Sequence, residues 1–320
     1  MTCMGFCTGF SDNPSPSRQR EGAAMFSEDS TFRKGPGGLL FAQIENDLAK
    51  ATVCLQGAQL THWQPRSQAE PVSFMSATVQ YTEGKSIRAG VPICWPWFGP
   101  HATDKARASH GFARNVLWEA RAPVLLENGA TQLSLLLCDS EKSLALWPHR
   151  FGLEYRVTVG DVLDIELTTT NTGSEAFPLS EALHTYFQIG DIGSVQVLGL
   201  EGTEFIDAVD GGRRKRQEGP VTFAAEVDRV YVNTEATCTI VDPLLKRRIH
   251  ISKRGSHSTV VWNPWEKKAA GFADLGAVPA TRGGWRQLVC VESANARDNT
   301  LTLAAGQSHC LAVQYRAELI

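Results

Sequence analysis

Two residues stand where burial would change how readily they exchange a proton. His184 lies within the aromatic segment Leu183–Phe187, and Glu292 follows the apolar segment Leu288–Val291. Loss of water keeps an imidazole neutral and makes a carboxylate more basic, so the two could serve as general acid and general base near neutral pH. Taken singly, each has an alternative: a histidine that only packs in the core, and a carboxylate at the rim.

A separate group of residues could bind an anion. The segment Arg88–Pro100 reads RAGVPICWPWFGP, and HGFAR follows it at His110–Arg114. Proline and glycine are too dense there for a regular helix, so we expect a rigid wall. Arginine grips phosphate or carboxylate in two places and indole rings stack on sugars, which predicts a pocket for an anionic, ring-shaped ligand. Core packing of the tryptophans is the alternative.

Two other charged stretches carry a weaker signal. Asp228 has Arg229 beside it as an ion-pair partner, so alone it does not indicate a site. The basic run Arg213–Arg216 follows the turn signal Asp210–Gly212 and has no aromatic residues nearby. This favours a solvated loop over a nucleic-acid site.

Short alternating segments must position these groups. The clearest is Val162–Thr168, in which every second residue is apolar, as expected for a strand with one buried face. Further strands are predicted at Thr52–Leu55, Gln132–Leu137, Leu153–Val159, Thr237–Val241, Arg248–Ser252, Thr259–Trp262, Leu288–Glu292, Leu301–Leu303 and Cys310–Tyr315. Only Ser140–Leu146 and Glu266–Leu275 suggest helices. The pattern predicts an all-β fold, a large antiparallel β-sandwich with few short helices.

The sequence predicts two regions of unequal length. Residues 1–37 combine Ser, Pro, Gly and mixed charge without periodicity, which predicts a flexible N-terminal extension. Residues 38–320 contain no fixed repeat and no internal boundary, so we expect one catalytic β-sandwich domain.

Bulk composition narrows the classes of function. The 320 residues carry 31 basic and 34 acidic side chains, a net charge of -3, so no overall field attracts nucleic acid or an anionic membrane. No apolar run approaches the ~18 residues that span a bilayer, and the N-terminus does not read as a secretory signal. We therefore expect a cytoplasmic protein that binds neither membrane nor nucleic acid, and we expect a monomer. The eight cysteines form no CxxC pair, which favours reduced, buried thiols.

In six phrases the chain resembles the hexose-6-phosphate mutarotases, also called glucose-6-phosphate 1-epimerases, of the galactose-mutarotase-like superfamily. The phrases are RAGVPICWPWFGP, SHGFARNVLWE, SEALHTYF, DRVY, VVWNPWEKKAAGFADLG and VCVESAN. The resemblance covers residues 38 to 318, with the first 37 residues outside it. It implies an antiparallel β-sandwich with the site on a concave sheet face. It also implies interconversion of the α and β anomers of a hexose 6-phosphate, without a metal or other cofactor.

The resemblance assigns the proton-transfer roles. Glu292 takes the position of the general base, His184 that of the general acid, and His110 that of a histidine that holds the sugar near its ring oxygen. A base removes the proton of the anomeric hydroxyl while an acid protonates the ring oxygen, and reclosure reverses the roles. Because each group passes through both protonation states, this chemistry favours modest pKa shifts.

The resemblance also places the substrate-binding residues. Arg88, Arg114 and Asp228 fall where substrate is held, and we expect the two arginines to contact the phosphate. Ser109 has only a minor part, because some relatives carry a longer polar side chain there.

Three other functions compete with this assignment. A neutral aldose 1-epimerase would prefer free sugars, and a non-catalytic carbohydrate-binding protein would not accelerate anomer exchange. A metal-dependent cupin-like barrel requires an HxH pair, and the sequence contains none.

Overall fold

Alternating apolar and polar residues form short strands along most of the chain. The computed structural model describes residues 31–276 and 284–320. In chain order the strands are β1 (Phe32–Lys34), β2 (Leu40–Glu45), β3 (Ala49–Cys54), β4 (Gln59–Pro65), β5 (Ile93–Cys94), β6 (Glu119–Ala120), β7 (Val124–Leu125), β8 (Thr131–Cys138), β9 (Phe151–Val159), β10 (Val162–Asn171), β11 (Phe177–Leu179), β12 (Glu181–Leu183), β13 (Tyr186–Gln188), β14 (Gln196–Leu198), β15 (Glu204–Asp207), β16 (Arg213–Arg216), β17 (Val227–Tyr231), β18 (Cys238–Asp242), β19 (Arg247–Arg254), β20 (Ser258–Asn263), β21 (Leu288–Asn295), β22 (Leu301–Leu303) and β23 (Ser308–Leu319).

Two large sheets dominate the fold. One, called the support sheet below, has the order β14-β18-β19-β23-β10-β9-β8-β6, with β7 also paired to β8. The other, called the site sheet, has the order β16-β15-β17-β20-β21-β12-β5, with β13 also paired to β21. Smaller sheets are formed by β1-β2-β3-β4 and by β11-β22. Strand pairing within these sheets is antiparallel, which confirms the predicted class.

The core lies between the inner faces of the two large sheets. In β10 the side chains of Leu163, Ile165 and Leu167 are buried, while the residues between them are partly exposed, as the alternation predicts. Across the core, the rings of Phe187 and Tyr315 meet edge to face with centroids 5.1 Å apart. The two sheets therefore pack face to face, as predicted for a β-sandwich. Strand β21 differs, because it is buried at every residue and so has both faces covered.

The helices are short, and one of them is shorter than predicted. Helix α1 (Glu141–Leu146) begins at the cap Ser140, whose hydroxyl accepts from the Ser143 amide at 3.2 Å. Helix α2 (Trp265–Ala269) ends well before the predicted Leu275. Gly271 follows it and has low helix propensity, so the chain turns irregularly from there to residue 276.

The first described strand begins earlier than the composition indicates. Strand β1 pairs with β2 through Phe32–Ala42 and two further residue pairs, so the sheet starts before the predicted boundary at residue 37. Residues 1–30 of the predicted extension lie outside the described part of the chain, and their flexibility stays a prediction.

The basic run Arg213–Arg216 is a strand rather than a loop. It forms β16, the exposed edge of the site sheet, and pairs with β15. Arg214 is held by Glu204 at 2.6 Å and by Asp298 at 2.8 Å. A charged edge strand of this kind discourages pairing with another chain.

Four of the cysteines, Cys54, Cys94, Cys238 and Cys290, are buried thiols, as predicted. Cys138 is exposed and Cys310 partly so, whereas Cys3 and Cys7 lie outside the described residues. Within residues 31–276 and 284–320, no helix has the length and apolar character needed to cross a membrane.

Candidate active site

A pocket of about 330 Å³ opens on the site sheet, and all of the predicted site residues line it. These are Arg88, Ser109, His110, Arg114, His184, Asp228 and Glu292. The sequence analysis did not single out the remaining lining residues, which are Ser86, Ile87, Pro92, Phe98, Tyr186, Val260, Trp262, Lys268, Phe272 and Asp274.

Neighbouring strands bring the two candidate proton-transfer groups together. Glu292 lies in β21 opposite Val260 of β20. His184 lies in the break between β12 and β13, both of which pair with β21. Its backbone amide donates to the carbonyl of Pro92 at 2.9 Å, which fixes the break against the wall segment.

Burial controls the charge of this pair. Nδ1 of His184 lies 3.4 Å from Oε1 of Glu292, and their side chains are 12% and 1% exposed. Burial, with His110 and two arginines adding to it, holds the pKa of His184 well below its usual range. Burial, with Asp228 adding to it and Arg114 opposing it, raises the pKa of Glu292 well above its usual range. The directions of both shifts follow from burial, and the expectation that the shifts are modest stays a prediction.

Both pKa shifts act in the same sense, because burial disfavours the charged imidazole of His184 and the charged carboxylate of Glu292. Among the described residues, Nδ1 of His184 and Oε2 of Glu292 have no hydrogen-bond partner although both atoms are buried. Such atoms cost free energy unless a ligand satisfies them, so the arrangement can donate one proton and accept another.

His110 has its tautomer set by the backbone. The amide of Gly99 donates to Nδ1 of His110 at 3.3 Å. Burial, strengthened by Arg114 and Arg297, lowers the pKa of His110 to about 3, so the ring is neutral. With Nδ1 accepting, Nε2 carries the hydrogen, and the ring can donate a hydrogen bond.

One guanidinium nitrogen of Arg114 has a hydrogen-bond partner, and another has none among the described residues. Its Nη2 donates to the carbonyl oxygen of Ser109 at 2.7 Å. Its Nε is buried and has no partner among the described residues. A buried guanidinium nitrogen without an acceptor indicates a place for an anion or another strong acceptor. Ser109 contributes here through its backbone.

The guanidinium of Arg88 contacts Asp274, Tyr186 and Phe272. Its Nε lies 2.9 and 2.8 Å from the two carboxylate oxygens of Asp274, and Nη1 lies 3.3 Å from the Tyr186 hydroxyl. The guanidinium carbon stacks 4.3 Å from the centre of the Phe272 ring. Asp274 thus offsets the charge of Arg88 and fixes the plane of its guanidinium.

Asp228 has a different partner from the one predicted. Consecutive side chains of β17 point to opposite faces, so Arg229 faces away, donates to Gln217 at 3.0 Å and lies over the Phe205 ring. Asp228 faces the pocket, with Nζ of Lys268 3.6 Å from its Oδ2. Burial raises the pKa of Asp228, and Lys268 opposes that rise.

The tryptophans of the wall segment do not form the sugar face predicted for them. Trp95 is fully buried, donates from Nε1 to Thr169 at 3.1 Å and packs against Trp147. Its role is core packing, the alternative interpretation. The indole that lines the pocket is Trp262, from β20.

Half of the ten pocket-lining residues that the sequence analysis missed lie in one phrase. Val260, Trp262, Lys268, Phe272 and Asp274 belong to VVWNPWEKKAAGFADLG, which carried the resemblance but was given no role in the site. The mixture of tryptophan, lysine and aspartate at its irregular end was a usable signal. What the sequence could not show is that this end lies against Arg88.

Comparison with known proteins agrees with the fold. The aldose 1-epimerase family model matches residues 41–316. A Cenchrus ciliaris protein named as a candidate glucose-6-phosphate 1-epimerase is 35% identical over 266 residues, 80% of this chain and 78% of that protein. A Salmonella typhimurium protein of the same name is 38% identical over 251 residues, 78% of this chain and 81% of that protein.

A solved structure shows the same architecture. The crystal structure of a candidate mutarotase from Salmonella typhimurium superposes with a TM-score of 0.79 at 35% identity. The match covers 88% of this chain and 91% of that one. The likeness therefore extends over both large sheets rather than over a local motif.

Proposed function

Because the chain belongs to the aldose 1-epimerase family, we propose that it interconverts the α and β anomers of a hexose 6-phosphate, glucose 6-phosphate in the first instance. The chain is an isomerase. One observation carries the choice of reaction: His184 and Glu292 lie 3.4 Å apart with unsatisfied atoms, in a pocket that two arginines also line. The direct test is whether the protein accelerates anomer exchange of glucose 6-phosphate more than that of glucose.

Sugar binding sets the direction of proton transfer. Hydroxyl groups that donate to Glu292 favour its ionised form, and the carboxyl proton then passes to the nearby imidazole. Glu292 removes the proton of the anomeric hydroxyl, the bond between C1 and the ring oxygen breaks, and His184 protonates that oxygen. Rotation about C1–C2 and reclosure, with the two roles exchanged, give the other anomer. His110 donates from Nε2 to the sugar near the ring oxygen.

The arginines would select the phosphate, and Arg114 would do so more strongly than Arg88. Arg114 offers a buried Nε that lacks a partner in the described structure, whereas Asp274 already offsets the charge of Arg88. The names of the relatives at 35% and 38% identity support a phosphorylated sugar. Asp228 and Lys268 lie in the same pocket and bind sugar hydroxyls.

Alanine substitution of each arginine should separate phosphate binding from sugar binding. A charge-assisted hydrogen bond contributes roughly 1.5–3 kcal/mol, so we expect Arg114→Ala to lower kcat/KM for glucose 6-phosphate about 10- to 100-fold while glucose changes little. Arg88→Ala should have a smaller effect of the same kind. Anomer exchange followed by NMR on both sugars measures it, and the exposed Arg316→Ala serves as the control. Equal losses on the two sugars would remove the phosphate assignment.

Asp274 is a positioning residue, and its substitutions should differ by whether they keep an acceptor. Asp274→Ala removes the acceptor for Nε of Arg88, and we expect kcat/KM for glucose 6-phosphate to fall about tenfold, mostly through KM. Asp274→Asn keeps an oxygen that can accept from Nε and should retain most activity. If the asparagine variant is as impaired as the alanine variant, positioning through this hydrogen bond is not the role of Asp274.

A neutral aldose 1-epimerase is the second candidate. The observation that favours it is the Asp274 carboxylate, which offsets one of the two arginine charges in the pocket. The ratio of kcat/KM for glucose 6-phosphate to that for glucose decides between the two, because a neutral-sugar enzyme would show no preference for the phosphate.

The oligomeric state, expected to be monomeric, stays a prediction. The compartment is proposed from the cysteines. The buried thiols Cys54, Cys94, Cys238 and Cys290 support a reducing compartment such as the cytoplasm.

A further inference from the structure

One buried thiol beside the proton-transfer pair has no part in the proposed reaction. Cys290 lies two residues before Glu292 in β21, so both side chains point to the same face of the site sheet. A ligand atom from each of His184, Cys290 and Glu292 lies within 4.8 Å of the other two. Cys290 is fully buried beneath the pocket floor, whereas His184 and Glu292 line the pocket itself.

The donors are of types that zinc binds, and two of them are unsatisfied. Cysteine sulfur, histidine nitrogen and carboxylate oxygen are the protein ligands of Zn²⁺. Nδ1 of His184 and Oε2 of Glu292 are buried without a hydrogen-bond partner in the described structure, and Glu292 is only 1% exposed. The site therefore presents electron pairs to which no residue of the described structure donates a hydrogen bond.

The spacing is close to that of a tetrahedral site. Bonds of roughly 2.0–2.3 Å place ligand atoms about 3.3–3.8 Å apart. Nδ1 of His184 and Oε1 of Glu292 are already 3.4 Å apart. The sulfur of Cys290, within 4.8 Å of both groups, must approach by up to about 1.2 Å to reach the ~3.6 Å of a tetrahedral site, which side-chain rotation can supply.

We propose that His184, Cys290 and Glu292 bind a thiophilic divalent cation, Zn²⁺ being the best match, and that the bound ion reversibly inhibits the enzyme. The ion enters through the pocket and first meets His184 and Glu292. The Cys290 thiol releases its proton to solvent, as does the fraction of Glu292 that is protonated, the imidazole binds through a nitrogen lone pair, and water fills the fourth position. No electron is transferred. With both proton-transfer groups bound to metal, sugar can no longer exchange protons with them.

The inhibition, but not the binding, rests on the proposed function, so the two are measured separately. Co²⁺ replaces Zn²⁺ as a spectroscopic probe, because a thiolate ligand gives an intense charge-transfer absorption. The full-length wild type should show that absorption with Co²⁺ alone and lose it when Zn²⁺ is added. Calorimetric titration with Zn²⁺ gives the stoichiometry, expected to include one site that depends on Cys290.

Variants of Cys290 test whether its thiolate is a ligand of the inhibiting ion. Loss of an outer partner of a metal ligand already weakens binding 10- to 100-fold, so Cys290→Ala should need about 100-fold more Zn²⁺ for inhibition and show no thiolate absorption. Its anomer exchange without metal should match that of the wild type. The exposed Cys138→Ala is the matched thiol control and should remain fully sensitive. Cys290→Ser serves if the alanine variant does not fold.

Three results would overturn the proposal. The wild type could show no thiolate absorption with Co²⁺, the Cys290 variants could be inhibited at the same Zn²⁺ concentration as the wild type, or EDTA could fail to restore activity. If the wild type accelerates no anomer exchange at all, the proposed function fails, while the Co²⁺ spectra still test the metal site.

Discussion

Glu292→Gln is expected to lower the acceleration of anomer exchange by about 10²- to 10⁴-fold, the usual contribution of a positioned acid or base. Glutamine keeps the shape of the side chain but can neither accept the anomeric proton nor return it. The carboxyl is 1% exposed, so water cannot take over its role. Magnetisation transfer between the anomers of glucose 6-phosphate, corrected for the spontaneous rate, measures the loss. His184→Asn should cause a loss of similar size.

The effect must be separated from damage to the fold. Glutamine is uncharged and has the same shape, and burial raises the pKa of Glu292 and so disfavours its charged form, so the variant should unfold at nearly the same denaturant concentration. Glu235→Gln, at an exposed carboxylate outside the pocket, is the control and should be fully active. Exchange at the wild-type rate in Glu292→Gln would remove this residue from the mechanism.

Gly111→Ala is expected to cost about 3 kcal/mol of unfolding free energy, from backbone strain and overpacking together. Gly111 has a φ of +73°, and an added Cβ would overlap the carbonyl of Trp95 and approach the nitrogen of Pro96. Those atoms belong to the fully buried centre of the wall segment and cannot move aside. The midpoint of urea unfolding measures the change. His110 precedes this glycine, so we also expect weaker sugar binding.

Gly306→Ala isolates the strain from the clash. Gly306 has the same φ of +73° but nothing lies within 4 Å of its added Cβ. Its substitution should therefore cost only about 1 kcal/mol, the penalty of the left-handed conformation. If both variants lose the same free energy, the contact with Trp95 does not constrain this turn.

The sheet architecture follows largely from sequence because its signal is local. The alternation of Leu163, Ile165 and Leu167 depends only on which face of β10 is buried, and the structure confirms it. The seven site residues could be named because they lie in phrases with distinctive wording, and the fold brings them to one pocket.

The contacts between side chains inside the pocket could not be predicted from local sequence. Asp274 lies 186 residues from Arg88 along the chain, and only the folded topology shows that they meet. Asp228 was given the wrong partner because adjacency in sequence places side chains on opposite faces of a strand. Trp95 was interpreted as a pocket wall because composition cannot distinguish a buried indole from one that faces a ligand.

The proposed proton-transfer pair and Asp274, one of the residues proposed to influence substrate choice, lie on parts of the fold with different regularity. Glu292 lies in a strand that is buried on both faces, with His184 at the break between two strands that pair with it. Asp274 lies in the irregular segment after α2 and reaches Arg88 from there. If Asp274 and the pair have the proposed roles, a change in that segment during evolution can alter which sugars are accepted while the proton-transfer pair is inherited intact. Substrate range could diversify among descendants of such a chain without reinvention of the reaction.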